Sequence, residues 1–202
     1  MALSSVRSAR GLSLLAVFAL ALLVSGCGIN NIPTLEEQAK AKWSDVQNQY
    51  QRRADLIPNL VETVKGYAKQ EKEVLEAVIN ARARATQIQV NANTVTDPDT
   101  FKKFQEAQSQ LSGALGRLIA TVENYPDLKS NQNFLALQSQ LEGTENRIAI
   151  SRKDYIEAVR AYNTELRTWP GIIWAKTVYA SHKPMETFTA TPESQKPPSV
   201  KF

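Results

Sequence analysis

Cysteine and histidine are nearly absent: the chain carries one of each, Cys27 and His182. A lone cysteine cannot close an internal disulfide, and one histidine cannot build a multi-histidine metal site. A di-iron helical bundle needs Glu-x-x-His twice, so that chemistry is excluded as well. Glycine is scarce at 8 of 202 residues, and no glycine-rich phosphate loop is present. Gly113 and Gly116 lie inside a helical stretch, where a close helix contact is the expected use. No segment after residue 27 alternates in polarity long enough to make a strand. The formal charge is only +4. Loss of the first 26 residues removes Arg7 and Arg10 and leaves 22 basic against 20 acidic side chains, too even for a nucleic-acid partner. No cofactor, no metal and no catalytic residue are expected.

What is present begins with an address. Arg7 and Arg10 precede an apolar run at 12–24, LSLLAVFALALLV, and then Val24-Ser25-Gly26-Cys27. That run is shorter than the roughly 20 residues of a spanning helix and suits a signal-peptide core. The last four residues resemble a lipobox, in which the cysteine thiol takes up diacylglycerol. Cys27 is therefore the expected lipidation site, and acyl chains would hold the protein durably on a bilayer. An ordinary signal peptide with a free Cys27, or an uncleaved anchor helix, are the alternatives. Gly28, rather than Asp, after the cysteine points to the outer membrane if the host is Gram-negative.

The remainder reads as a tether at 27–33, helices over 34–180 and a disordered Pro-, Thr- and Ser-rich tail at 181–202. Thr34 and Glu37 predict a capping box. The helix that follows keeps one apolar face from Ala39 through Trp43, Val46, Tyr50, Ile57, Val64, Val78 and Ile88, to about Asn91. Pro58 predicts a kink or restart within it. Asp97-Pro98 caps a second helix ending at Tyr125-Pro126, with Gln108 filling a gap in a heptad seam. A third helix runs from Phe134 to Leu166, its seam completed by Thr144 and Ser151. Residues 171–180 suit a short fourth helix, either covering the core or touching the bilayer. The fold class is all-α: an antiparallel bundle of three long helices plus a short C-terminal one. Helix one then measures roughly 85 Å against about 40 and 55 Å for the others. It either overhangs as a stalk near the lipid or breaks at Pro58 and packs back, with 171–180 as cover.

Three segments carry a family resemblance. They are Arg52-Arg53-Ala54-Asp55-Leu56-Ile57-Pro58-Asn59-Leu60 onward to Ala68; Glu123-Asn124-Tyr125-Pro126-Asp127-Leu128; and Leu141-Glu142-Gly143-Thr144-Glu145-Asn146-Arg147-Ile148, with Arg152, Tyr155, Tyr162 and Trp169-Pro170 after them. Together they resemble the LemA family over roughly residues 35–180. The resemblance implies an antiparallel helical bundle associated with the membrane of the cell envelope, and no agreed molecular activity. Many family members start with an uncleaved anchor helix, whereas this chain carries the lipobox-like segment.

Polar residues on or beside the seams are the candidate structural or interaction sites: Arg53, Asp55, Asn59, Arg82, Glu123, Glu145, Asn146 and Arg152, with Lys65, Arg147 and Asn163. They form either a surface for an unknown envelope partner or the caps, register bonds and ion pairs of the bundle, and the internal role is preferred. Glu145 is expected to pair with Arg82 or Arg152. The function expected is a non-catalytic envelope scaffold or adaptor. A lipid- or membrane-shaping module is the alternative, and an enzyme using Glu142 and Glu145 is a distant third.

Overall fold

The computed structural model describes residues 28–88 and 94–189. Cys27 and the signal-like segment lie outside the described residues. Among the described residues the fold is all-α, as expected. Six helices follow one another: α1 Asn31–Tyr67, α2 Lys72–Gln87, α3 Pro98–Val122, α4 Pro126–Lys129, α5 Gln132–Glu165 and α6 Gly171–Thr177. A single 3-10 turn, Thr94–Thr96, precedes α3. No described helix is long and apolar enough to cross a membrane.

The first expected helix is two. Pro58 stays inside α1, and the chain turns at Ala68–Glu71 instead. Periodicity gave no sign of this, because apolar residues resume at helical spacing beyond the turn. Tertiary contacts make the break. Tyr125 donates its hydroxyl to the Glu71 carboxylate at 2.6 Å and accepts from Gln70 Nε2 at 3.1 Å. The turn brings Leu75, Val78, Ala81 and Ala85 into the same core as Ile57, Leu60 and Val64.

The helix also starts earlier than Thr34. The Thr34 amide is already bonded to the Asn30 carbonyl at 3.1 Å, and Ile32 is fully buried. The expected capping box is therefore absent. Burial of Ile32 and a bond from Asn31 Nδ2 to Glu165 Oε1, 3.2 Å, draw the first turn into the fold.

These two corrections remove the length mismatch. With 37 residues in α1 and 34 in α5, the two rods are near 55 and 50 Å and pair antiparallel. No stalk overhangs. Helices α2 and α3 pack on each other and on the Ile57–Val64 part of α1. The cap at Asp97 agrees with expectation, its side chain accepting from the Asp99 amide with Pro98 next, and the structure adds a cap at Asn131, which accepts from the Asn133 and Phe134 amides. The connection between α3 and α5 contains the short α4.

The core has two parts. One is aliphatic, at the α2–α3 end. The other is aromatic and centres on Trp43, whose ring lies 5.2–6.0 Å from Phe101, Phe104, Tyr155 and Phe188. Phe188 comes from the segment expected to lack order. Residues 182–189 pack along the bundle instead, burying Met185 and Phe188. Tyr155 and Tyr162 donate hydroxyls to the carbonyls of Glu186 and Lys183, at 2.8 and 3.1 Å. Asn163 bonds both ways to the Met185 backbone, each at 2.9 Å. Side chains of α5 thus satisfy a strap that carries no periodicity of its own. The cover for Trp43 comes mainly from this strap, while Trp174, Ala175 and Tyr179 pack on the same cluster.

Candidate functional site

Arg53 sits in the middle of α1, one turn after Tyr50 and one turn before Ile57. Both neighbouring turns are apolar, so its guanidinium is carried inward where the two cores meet. It is 1% exposed. One terminal nitrogen donates to Glu145 Oε1 at 2.7 Å and to Ser112 Oγ at 2.8 Å. The other donates to Gln108, to the side-chain oxygen at 2.6 Å and the backbone carbonyl at 3.3 Å. The Tyr50 ring lies 5.1 Å from the guanidinium carbon. One planar fork therefore clamps α1, α3 and α5 together, a geometry a lysine ammonium cannot copy. Gln108, the polar gap in the α3 seam, exists to face it.

The expected partner of Glu145 is corrected. Its carboxylate pairs with Arg53, not with Arg82 or Arg152. Arg152 lies over the Phe188 ring at 4.3 Å, holding the strap. Arg82 donates Nε to the Ala54 carbonyl at 2.8 Å. Pro58 has no amide for that carbonyl, so α2 supplies the missing donor. This explains how α1 carries a proline without breaking.

Tyr50, Arg53, Gln105, Glu145, Arg152 and Thr189 border a cleft of about 280 Å³. Burial pushes the Tyr50 hydroxyl above its usual range, and the positive charges of Arg152 and Arg53 oppose that rise. A wider groove of about 640 Å³ separates α3 from α5, bordered by Leu115, Gly116, Ile119, Leu141, Glu142 and Asn146. Gly113 and Gly116 therefore make no close helix contact: a Cβ at either position would meet nothing within 4 Å.

Other expected site residues lie on the outside. Asp55 is exposed and accepts from Gln51 at 2.7 Å, and Asn59 is exposed with its carbonyl taken by Thr63. Glu123 pairs with Lys129, and Lys65 with Glu62 at 3.5 Å. Asn146 and Arg147 are exposed on α5. Glu142 accepts from Gln138 at 3.0 Å while Glu145 is held by Arg53, so the two do not form a free carboxylate pair. The described residues contain no cluster of three metal-ligating side chains. Sequence reasoning did not assign Gln108, Ser112, Tyr155 and Tyr162 their polar roles. The tyrosines on a buried seam were the available signal, since a buried hydroxyl seeks a partner.

The stretch containing Arg53, Pro58 and Leu60, followed by Glu145 in α5, has a counterpart among known proteins. The LemA family model matches residues 42–202. The chain belongs to the LemA family. Relatives include magnetosome protein MamQ 2 of Paramagnetospirillum magneticum, 28% identical over 157 residues, covering 70% of this chain and 58% of the relative. Magnetosome protein MamQ of Magnetospirillum gryphiswaldense is 27% identical over the same length, with the same coverage. Protein LemA of Metamycoplasma hominis is 23% identical over 124 residues, 61% of this chain and 52% of the relative. The chain thus spans a little over half the length of the relatives it matches. In this LemA-family bundle the first motif has a physical division of labour: Arg53 clamps three helices, Ile57 and Leu60 fill the core, and Pro58 frees a carbonyl for α2.

Proposed function

We propose that this LemA-family protein is a lipid-anchored, non-catalytic scaffold of the cell envelope. Acyl chains on Cys27 attach it, and the bundle displays its surface to other envelope proteins. One observation carries the reading. The charged groups nearest the core, Arg53, Glu145, Arg82 and Arg152, are each engaged by another helix or by the strap. Their chemistry goes into stiffness, which suits a rod that holds partners. The names of the MamQ relatives, magnetosome proteins, give a place rather than a reaction and are compatible with it.

The test has two arms. Metabolic labelling with a fatty-acid probe should mark the full chain and leave Cys27→Ala unmarked; equal labelling removes the anchor. Photo-crosslinkers at the exposed Asn59 and Asn146 should capture the same envelope protein reproducibly in cells; absence of any crosslinked product there argues against an adaptor. A second reading, a module acting on lipid itself, is favoured by the apolar surface of α6.

A further inference from the structure

We propose that the end of the bundle formed by residues 166–183 rests on the bilayer surface, as a second contact beside the N-terminal attachment. The inference depends on the reading that the chain is attached to a membrane at its N-terminus.

Three observations converge. The first is position. Antiparallel pairing returns the end of α5 to the start of α1, where Asn31 bonds Glu165. Gly28 packs there too: a Cβ on it would stand 3.7 Å from Pro170 Cγ. The next residue back is Cys27, with the apolar run 12–24 behind it. Acyl chains on Cys27 or a retained apolar segment would each bring hydrocarbon to this same end.

The second observation is exposure. Trp169 is 75% exposed, Ile173 48% and Val178 57%. Among the described residues the other exposed large apolar side chains, Tyr67, Ile79, Leu135 and Ile150, are scattered over four other turns of the fold. Meanwhile Trp174, Ala175 and Tyr179 pack on the aromatic core. They fix α6 in place, so its outward side chains form a preset surface rather than a frayed end.

The third is charge. From Leu166 to Lys183 the chain carries Arg167, Lys176 and Lys183 and no aspartate or glutamate. Its one histidine, His182, faces Glu36 at 3.0 Å. Exposed tryptophan and aliphatic residues beside basic ones match the headgroup zone of an anionic bilayer. A covalent anchor alone leaves the bundle free to swing about its tether. A second contact at the same end would stand the rod upright, with the α1–α2 turn roughly 55 Å from the membrane.

The test uses the full chain with its native anchor, reconstituted in vesicles of phosphatidylcholine and phosphatidylglycerol. Brominated acyl chains should quench tryptophan emission. Trp169→Phe should lose most of that quenching, and Trp43→Phe, which alters only a core ring, should keep it. Arg167→Glu with Lys176→Glu should weaken it. A chain that floats with the vesicles but shows no quenching overturns the second contact and leaves the anchor standing. Quenching that is undiminished in Trp169→Phe overturns it as well. A chain that fails to float overturns the N-terminal attachment and this inference with it.

Discussion

Arg82 donates its Nε to the carbonyl of Ala54, the one carbonyl in α1 that Pro58 deprives of its helical donor. The proline and the arginine thus form a joint between α1 and α2, although they stand 24 positions apart in the sequence, on either side of a turn. Arg82→Ala should cost about 1–3 kcal/mol, the penalty for an unsatisfied, partly buried carbonyl. In a Pro58→Ala background the alanine amide can serve Ala54, so the same mutation should cost less. Urea denaturation of the four proteins of this cycle measures the coupling. Equal costs in both backgrounds would refute the joint.

Arg53 is the larger dependence. Arg53→Ala removes donors from Gln108, Ser112 and Glu145 together and opens a hole between the two cores. A loss of about 3–5 kcal/mol is expected, from the cavity left by a large buried side chain and from the Gln108 and Ser112 oxygens left without a donor. Arg53→Lys should recover only part, because one ammonium cannot fill both arms of the fork. Glu145→Gln should cost less, since the amide oxygen can still accept from Arg53 and position 145 is 46% exposed, so water reaches the guanidinium from that side. Chemical denaturation ranks the three; a Glu145 effect as large as that of Arg53→Ala would contradict this account.

Glycine positions divide sharply. At Gly171 a Cβ would run into the backbone carbonyl of Glu165, which cannot step aside. Gly171→Ala should therefore displace α6, at a cost of about 1–3 kcal/mol, and raise hydrogen exchange there. Gly113→Ala, with open space around it inside α3, should stabilise by about 0.5–1 kcal/mol. Thermal melts of both variants are the check, and shifts of the same sign would be inconsistent with these packings.

The strap makes a separate claim. Phe188→Ala should cost about 3 kcal/mol, because its ring touches Trp43, Phe101 and Tyr155 and carries Arg152. Trp43 emission should shift to the red as water reaches the aromatic core. Unchanged stability and emission would mean that residues 182–189 contribute no packing.

Alkaline sensitivity follows from the tyrosines that hold this strap. Burial, helped by the Glu36 charge, pushes the Tyr162 hydroxyl up to about 12, and burial with Glu186 pushes Tyr155 higher still. The unfolded chain releases these protons near pH 10. Above that pH the folded state holds more protons, so stability falls as pH rises. Below it the contribution is complete. The melting temperature should decline between about pH 10 and 12, and less steeply in Tyr162→Phe. An equally steep decline in that variant would place the effect elsewhere.

Helix content, the cap at Asp97, the buried seams of α3 and α5 and the family were all readable along the chain. These depend on local chemistry: apolar spacing, side-chain acceptors at helix starts, and motif order. The same residues that revealed the family, Arg53 and Glu145, were marked as candidates, yet their pairing was missed. Ion-pair partners on different helices depend on relative rotation and height, which no single helix encodes.

Amino-acid sequence alone determined that this protein is a set of amphipathic helices, because periodicity and composition act over a few neighbouring residues. Tertiary structure decided the rest. It placed the break at Ala68–Glu71 rather than Pro58, because Tyr125 and Arg82 reach in from other helices. It ordered residues 182–189, because hydroxyls and an amide on α5 bond a backbone that has no regular partner. Both outcomes come from groups far apart in the chain meeting in a desolvated interior, where an unmet hydrogen bond costs too much to leave open.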